Sequence, residues 1–98
     1  MKTFDDINRT LHDHLEELRR DYGVAEIGIF GSFARGEQRE GSDVDILVQF
    51  DRPVGFIMFM RLENHLRKLF GVDVDLVSKK ALRPYIGRRI LEEVRYVA

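Results

Sequence analysis

The chain has 98 residues, of which 44% are hydrophobic and 34% charged, and its formal net charge is −1 at pH 7. This length gives room for one small core, so we expect a single domain over residues 1–98, and the near-zero charge predicts no direct nucleic-acid binding. The absence of cysteine excludes disulfides and thiolate metal sites, and no apolar run suits a membrane span or a signal peptide, so we expect a cytoplasmic protein without membrane contact.

The first predicted element is an amphipathic helix over residues 4–22, because apolar residues recur there at steps of three and four. Thr3 is a suitable N-cap for this helix, and Gly23 is a natural end. A strand is predicted over residues 24–30, where β-branched residues are frequent. One short helical turn over residues 32–36 follows, so the first strand leads directly into a tight change of direction.

The second half of the chain predicts a strand over residues 43–50, a helix over residues 56–70, a strand over residues 72–77 and a helix that begins at Pro84. No internal repeat or low-complexity tract interrupts this order. The pattern predicts an α+β fold with two layers, in which a small mixed β-sheet packs its helices mainly on one face.

The first candidate site is the turn Gly31-Ser32, which follows the first predicted strand. A glycine at a strand exit allows a sharp turn and lets a bulky anion approach the backbone. If Ser32 begins a short helix, its hydroxyl and the free N–H groups point to the same place and favour an anion. The alternative is structural, with Gly31 as an ordinary turn glycine and Ser32 as a helix cap.

The second candidate site is a set of carboxylates. Asp43 and Asp45 lie two residues apart on a predicted strand, so their side chains share a face and repel each other unless a cation or a proton intervenes. Asp73 and Asp75 repeat this spacing on the third predicted strand, and either one completes a cluster if the two strands are neighbours. Such oxygen ligands favour Mg²⁺, and a pair of ions forms a clamp for phosphoryl transfer. The alternative is that these aspartates are solvated charges at strand edges.

The spacing of these two features resembles a known family. Gly31-Ser32, residues 33–42 and then Asp43-Val44-Asp45 match the signature of the DNA polymerase β-like nucleotidyltransferase superfamily. The longer pattern, Gly-Ser-Phe-Ala-Arg-Gly followed by Ser-Asp-Val-Asp-Ile-Leu-Val, is similar to that of the minimal nucleotidyltransferase (MNT) group. The resemblance extends over the whole chain and implies a nucleotidyltransferase fold, similar to the palm of polymerase β.

The resemblance implies a role for each residue of the motif. Gly31 and Ser32 would hold the β and γ phosphates of ATP. Asp43 and Asp45 would ligate two Mg²⁺ ions. Asp75 would be the third metal-binding carboxylate and would help to activate the acceptor hydroxyl, because the aspartate of the family directly precedes Leu-Val. All three aspartates are therefore the candidate catalytic residues.

Arg35 and Gly36 belong to the same motif, and we assign them to the nucleotide-binding side of the site. Two roles for Arg35 stay open. It contacts a phosphate of the nucleotide, or it braces the loop against Asp43.

The reaction implied by the resemblance is transfer of AMP from ATP to a hydroxyl, with release of pyrophosphate. Members of the MNT group are commonly paired with a HEPN-domain protein as a toxin–antitoxin couple, and the implied acceptor is a tyrosine of that HEPN ribonuclease. Larger members of the superfamily carry a further domain that grips the acceptor, and this chain is too short to contain one, so we expect a separate protein acceptor. Two alternatives are an antitoxin that acts by binding alone and nucleotidyl transfer to a small molecule.

The run Phe56–Met60 is five consecutive apolar residues at the start of a predicted helix. One face of a helix cannot bury consecutive positions, because these spread around the helix axis. Either residues 53–55 fold over part of the run, or the run contacts a partner. The sequence favours neither explanation, and it is compatible with both homo-oligomers and hetero-oligomers.

Overall fold

The structure is a computed structural model, and it describes residues 2–97. The helices are α1 (Phe4–Asp13), α2 (Leu15–Tyr22), α3 (Gly31–Arg35), α4 (Phe56–Phe70) and α5 (Pro84–Glu93). The strands are β1 (Val24–Phe30), β2 (Val44–Phe50), β3 (Val74–Ser78) and β4 (Arg95–Tyr96), and a 3₁₀ turn (Lys79–Ala81) joins β3 to α5. Within this part of the chain, no helix combines the length and the apolar character needed to cross a membrane.

The strands form one mixed sheet in the order β3-β2-β1-β4. Strand β1 runs antiparallel to β2 and β4, whereas β2 and β3 are parallel. The α4 crossover between β2 and β3 is what allows two parallel strands to lie side by side. The predicted α+β fold with a small mixed sheet is therefore confirmed.

One face of the sheet packs against α1, α2 and α4 and forms the core; we call it the inner face. Alternate residues of each strand point to this face, as the period of two in a strand requires. The buried residues of this core include Ile7, Leu11, Leu18, Ile27, Ile29, Val44, Ile46, Val48, Leu62, Leu66, Phe70, Val74 and Leu76. Every residue in this list is apolar, so the inner face has no part in polar chemistry.

The opposite face of the sheet, which we call the outer face, is covered in part by the chain that follows α5. A Cβ placed on Gly28 of β1 would lie 2.7 Å from Cγ2 of Val94, so Val94 occupies the space directly above this glycine. The backbone continues into β4, where Tyr96 pairs with Gly28. The C-terminal segment is thereby fixed along the edge of β1 on the outer face.

The predicted N-terminal helix over residues 4–22 is two helices, because the chain bends at His14. His14 leaves helical geometry with φ −107° and ψ 7°, and its N–H is shared between Thr10 O at 3.2 Å and Leu11 O at 3.3 Å. The bend rotates α2 relative to α1, so that the leucines on both sides of the bend, Leu11 and Leu15, stay buried. Thr3 caps α1 and Gly23 ends α2 with φ +70°, as predicted.

Three further elements differ from the prediction by one or two residues: α3 spans Gly31–Arg35 rather than 32–36, β2 begins at Val44 rather than at residue 43, and β3 spans Val74–Ser78 rather than 72–77. Strand β4 was not expected, because a strand of two residues has no periodicity to detect.

The run Phe56–Met60 divides between solvent and core. Phe56 and Ile57 are 77% and 70% exposed, whereas residues 58–60 are half-buried. Phe59 packs edge-on against Phe50, with ring centroids 6.4 Å apart. Residues 53–55 therefore leave the first two side chains of the run uncovered.

Candidate active site

Two aspartates lie side by side on the outer face of the sheet. Strands β2 and β3 are parallel neighbours, and their register pairs Asp45 directly with Asp75. Neighbouring strands are about 4.8 Å apart, so paired side chains on one face are in close proximity. Asp43 lies just before β2, and Asp73 just before β3. The structure thus brings Asp75 rather than Asp73 into register with Asp45, and Asp75 is the aspartate that the family resemblance implies.

The environment of Asp45 disfavours its charged form. Burial raises the pKa of this carboxyl to about 6 from 3.8, and the carboxylates of Asp75, Asp43 and Glu93 act in the same direction. The Arg35 guanidinium partly opposes the increase in the pKa. A carboxylate that is partly desolvated and surrounded by like charge is a site where a cation is stabilising.

The Gly31 turn lies directly against Asp45. Phe30, the last residue of β1, pairs with Asp45 of β2, and Gly31 follows with φ +73°. A Cβ at Gly31 would overlap Oδ2 of Asp45 and lie 2.9 Å from its Cγ. Only glycine combines this backbone conformation with so close an approach to the carboxylate. The glycine therefore sets the distance between the turn and the acidic pair.

Ser32 and Gly36 lie at the two ends of the short helix α3. Ser32 is half-buried, and its carbonyl accepts a hydrogen bond from Glu37 N–H at 2.9 Å. Gly36 ends the helix with φ +70°, and a Cβ at this position would meet no atom within 4 Å. Gly36 thus ends α3 in the left-handed backbone conformation, and Ser32 directly follows Gly31 in the turn.

Arg35 braces the turn against two glutamates. Its Nε donates a hydrogen bond to Glu37 Oε1 at 2.6 Å, and its Nη1 donates to Glu93 Oε1. The partners of Arg35 are thus glutamates and not Asp43, and its contact with a phosphate of the nucleotide stays a prediction.

Glu93 is the site residue that the sequence did not reveal. It is the last residue of α5, and its Oε2 accepts a hydrogen bond from Gly31 N–H at 3.1 Å. Burial alone would raise the pKa of Glu93, but the hydrogen bonds from Arg35 and from Gly31 N–H outweigh it and hold the pKa below its ordinary value. One signal was present in the sequence: an acidic residue at the C-terminal end of a helix opposes the helix dipole, which indicates a specific partner.

Comparison with known proteins shows to which family this chain belongs. Residues 11–97 match the family described as nucleotidyltransferase domain. A relative named protein adenylyltransferase MntA, from Thermococcus cleftensis, is 47% identical over 97 residues that cover 99% of this chain and 98% of the relative. The chain belongs to the nucleotidyltransferase family.

Solved structures agree with this assignment. A protein described as a minimal nucleotidyltransferase has 34% identity and a TM-score of 0.81, and the match covers 96% of this chain and 95% of that chain. A toxin–antitoxin structure with AMP-PNP has 25% identity and a TM-score of 0.73, and the match covers 87% of this chain and 70% of that chain. The minimal nucleotidyltransferase fold predicted from the motif is therefore confirmed.

The acidic residues of this nucleotidyltransferase are chemically suited to bind a hard cation. Asp45 and Asp75 supply oxygen ligands of the kind that Mg²⁺ prefers, and the raised pKa of Asp45 reflects like charge that a cation would offset. Among residues 2–97, however, no three acidic or histidine side chains converge closely enough to hold one ion. The structure therefore presents a paired acidic platform, with Asp43 beside it.

A cavity lies away from this platform. It has a volume of about 680 Å³ and lies beyond the far end of β2, where Phe50, Phe59 and Lys80 contribute to its walls. Phe50 is five residues along the strand from Asp45, which corresponds to ~17 Å. At the acidic platform, Asp43 and Asp75 are exposed and Asp45 is half-buried.

Proposed function

We propose that this nucleotidyltransferase transfers AMP from ATP to a hydroxyl of a partner HEPN toxin, and that it thereby acts as the antitoxin of the pair. The observation that carries the proposal is the contact of the Gly31 turn with Asp45, beside Asp75 in register. This arrangement places an anion-accepting turn next to a cation-accepting carboxylate pair. The proposal is supported by the relative named protein adenylyltransferase and by the toxin–antitoxin structure with AMP-PNP.

The residues of the site have different roles in the proposed reaction. Gly31 and Ser32 hold the β and γ phosphates, which leaves the α phosphorus facing the acidic pair. Asp45 and Asp75, which are in register, would hold Mg²⁺ together with Asp43, which lies beside them and would have to move closer for all three to share one ion. Bound Mg²⁺ would supply charge stabilisation for the triphosphate and would lower the pKa of the acceptor hydroxyl.

The bond changes are those of an in-line displacement. The acceptor oxygen forms a bond to the α phosphorus, and the bond from that phosphorus to the bridging oxygen of the β phosphate breaks. Pyrophosphate leaves with the electron pair, and the hydroxyl proton passes to a carboxylate, a role that we assign to Asp75. We infer that the acceptor is a tyrosine, because its phenol ionises more readily than an aliphatic hydroxyl.

The test is the intact mass of a HEPN-domain partner, sought in the neighbouring reading frame, after incubation with the chain, ATP and Mg²⁺. The wild type is expected to add at least one AMP group, and tandem mass spectrometry is expected to place it on tyrosine. Asp45→Asn removes a proposed metal ligand and is expected to lower the rate of transfer by about 100-fold or more, because both binding of the Mg²⁺–ATP complex and charge stabilisation in the transition state depend on it. Asp73→Asn is the matched control, because Asp73 is an exposed aspartate just before β3, and it is expected to keep full activity.

The same samples separate the alternatives. An unmodified partner that is nevertheless neutralised, equally by the wild type and by Asp45→Asn, would show an antitoxin that acts by binding alone. A partner that is neither modified nor neutralised would contradict the proposal as a whole.

A further inference from the structure

The outer face holds a glutamate that none of the proposed chemical steps uses. Glu93 lies at the C-terminal end of α5, where a negative charge is electrostatically unfavourable. Its side chain is nevertheless largely buried, with 23% of its surface exposed. Placing a carboxylate there costs free energy unless specific donors satisfy it, so the partners of Glu93 are informative.

Both partners of Glu93 belong to the segment Gly31–Arg35. Oε2 accepts the Gly31 N–H at 3.1 Å, and Oε1 accepts a hydrogen bond from Nη1 of Arg35. One carboxylate therefore holds the first residue of α3 and the last one together. A hydrogen bond that involves a charged group is roughly twice as strong as a neutral one.

The backbone that carries Glu93 is itself held in place. The next residue, Val94, fills the space above Gly28, and its N–H donates to Ile90 O at 2.8 Å. Strand β4 then pairs with β1 through Arg95 and Ile29, immediately before the turn. Glu93 is thereby held in a fixed position relative to β1, the strand that leads into Gly31.

We propose that Glu93 is a positioning residue for the nucleotide-binding turn. Gly31 has a positive φ and lies against Asp45, so rotation of its peptide plane would move the Ser32 hydroxyl relative to the acidic pair. Glu93 fixes that plane by accepting the Gly31 N–H, and Arg35 balances the charge of Glu93, so the brace does not repel a triphosphate. This inference rests on the proposed function, because it assigns the turn to the phosphates.

The test is binding of the Mg²⁺ complex of AMP-PNP, measured by titration calorimetry, together with steady-state kinetics of AMP transfer. Glu93→Ala is expected to weaken AMP-PNP binding and raise the KM for ATP by about tenfold, with a smaller change in kcat. Glu93→Gln keeps an oxygen that accepts the Gly31 N–H and is expected to recover most of the affinity. Glu92→Ala removes the neighbouring exposed glutamate of α5 and is expected to bind as the wild type does.

A double-mutant cycle shows whether Glu93 and Arg35 act as one unit. Arg35→Ala and Glu93→Ala are expected to weaken binding by less in combination than the sum of their separate effects, because each removes the same ion pair. Circular dichroism of every variant verifies that the fold is retained.

Three outcomes overturn the inference. Unchanged or tighter AMP-PNP binding by Glu93→Ala would show that the carboxylate does not position the turn or that it blocks the phosphates. Equal losses in Glu93→Gln and Glu93→Ala would show that the acceptor oxygen is not what matters. A wild type that fails to bind AMP-PNP would overturn the proposed function together with this inference, whereas the first two outcomes leave the proposed function intact.

Discussion

Alternate residues of the same strands form the two faces of the sheet, and the inner face carries buried apolar side chains whereas the outer face carries carboxylates. On β2, Ile46 and Val48 point to the inner face and are fully buried among apolar side chains. Asp45, on the same strand, points to the outer face, where burial and neighbouring carboxylates raise its pKa. A single step along β2 therefore separates a stabilising side chain from a destabilising charge, so loss of a core side chain and loss of the Asp45 charge should have opposite effects on the free energy of unfolding.

The largest expected effect lies on the inner side. Phe70 of α4 is 1% exposed, and Phe70→Ala is expected to lower the free energy of unfolding by about 3–5 kcal/mol through lost burial and a cavity. Phe56→Ala is the matched control, because Phe56 belongs to the same helix but is 77% exposed. Urea denaturation at pH 7.5 measures both, and similar losses in the two variants would contradict the assigned core.

The next effect lies at the junction of the turn with the outer face. Gly31→Ala places a methyl group into Asp45 at a positive φ and is expected to lower the free energy of unfolding by about 2–3 kcal/mol. The control is Gly71→Ala, since Gly71 has φ +71° but no atom within 4 Å of an added Cβ, and strain alone costs about 1 kcal/mol there. If thermal denaturation gave equal losses, the close approach of Gly31 to Asp45 would be wrong.

The smallest effect has the opposite sign. The pKa of Asp45 is raised from 3.8 to about 6, so the folded protein binds more protons than the unfolded chain between these values, and stability falls as the pH rises through this range. Asp45→Asn removes the charge and is expected to raise the free energy of unfolding by about 1 kcal/mol at pH 7.5 in EDTA, a value discounted for solvent screening. The gain should shrink as the pH is lowered toward 4.5.

Denaturant unfolding of the wild type, Asp45→Asn and Asp73→Asn at both pH values checks this sign. The exposed Asp73 is expected to show little change on substitution. A stability gain for Asp45→Asn that stays constant with pH would contradict the raised pKa of Asp45, which burial and the neighbouring carboxylates produce, as its cause.

Much of the fold could be predicted from the sequence because its signals are local. Strand β1 and helix α4 end at glycines and carry clear periodicity, and both have the predicted bounds. The bend at His14 could not be predicted, because the apolar spacing continues across it. Strand β4 is held by pairing with β1, and two residues carry no pattern.

The candidate site, like the fold, has one part that could be predicted from the sequence and one part that could not. The Gly31 turn and the aspartates were singled out by a motif, whereas the sequence left open whether β2 and β3 are neighbours, and the Asp45–Asp75 register comes from the sheet itself. Glu93 is 62 residues away from Gly31 along the chain, and only the path of the C-terminal segment over Gly28 brings it to the turn. Contacts of this kind depend on tertiary packing and leave no spacing to detect.

Titration of the wild type with ATP, first in Mg²⁺ and then in EDTA, tests most directly whether the outer face is a nucleotide and metal platform. ATP is expected to bind in Mg²⁺, EDTA is expected to abolish binding, and Asp45→Asn is expected to fail to bind in either buffer although it is more stable than the wild type. Equal affinity for ATP in EDTA, or unchanged binding by Asp45→Asn, would show that the outer face is not such a platform.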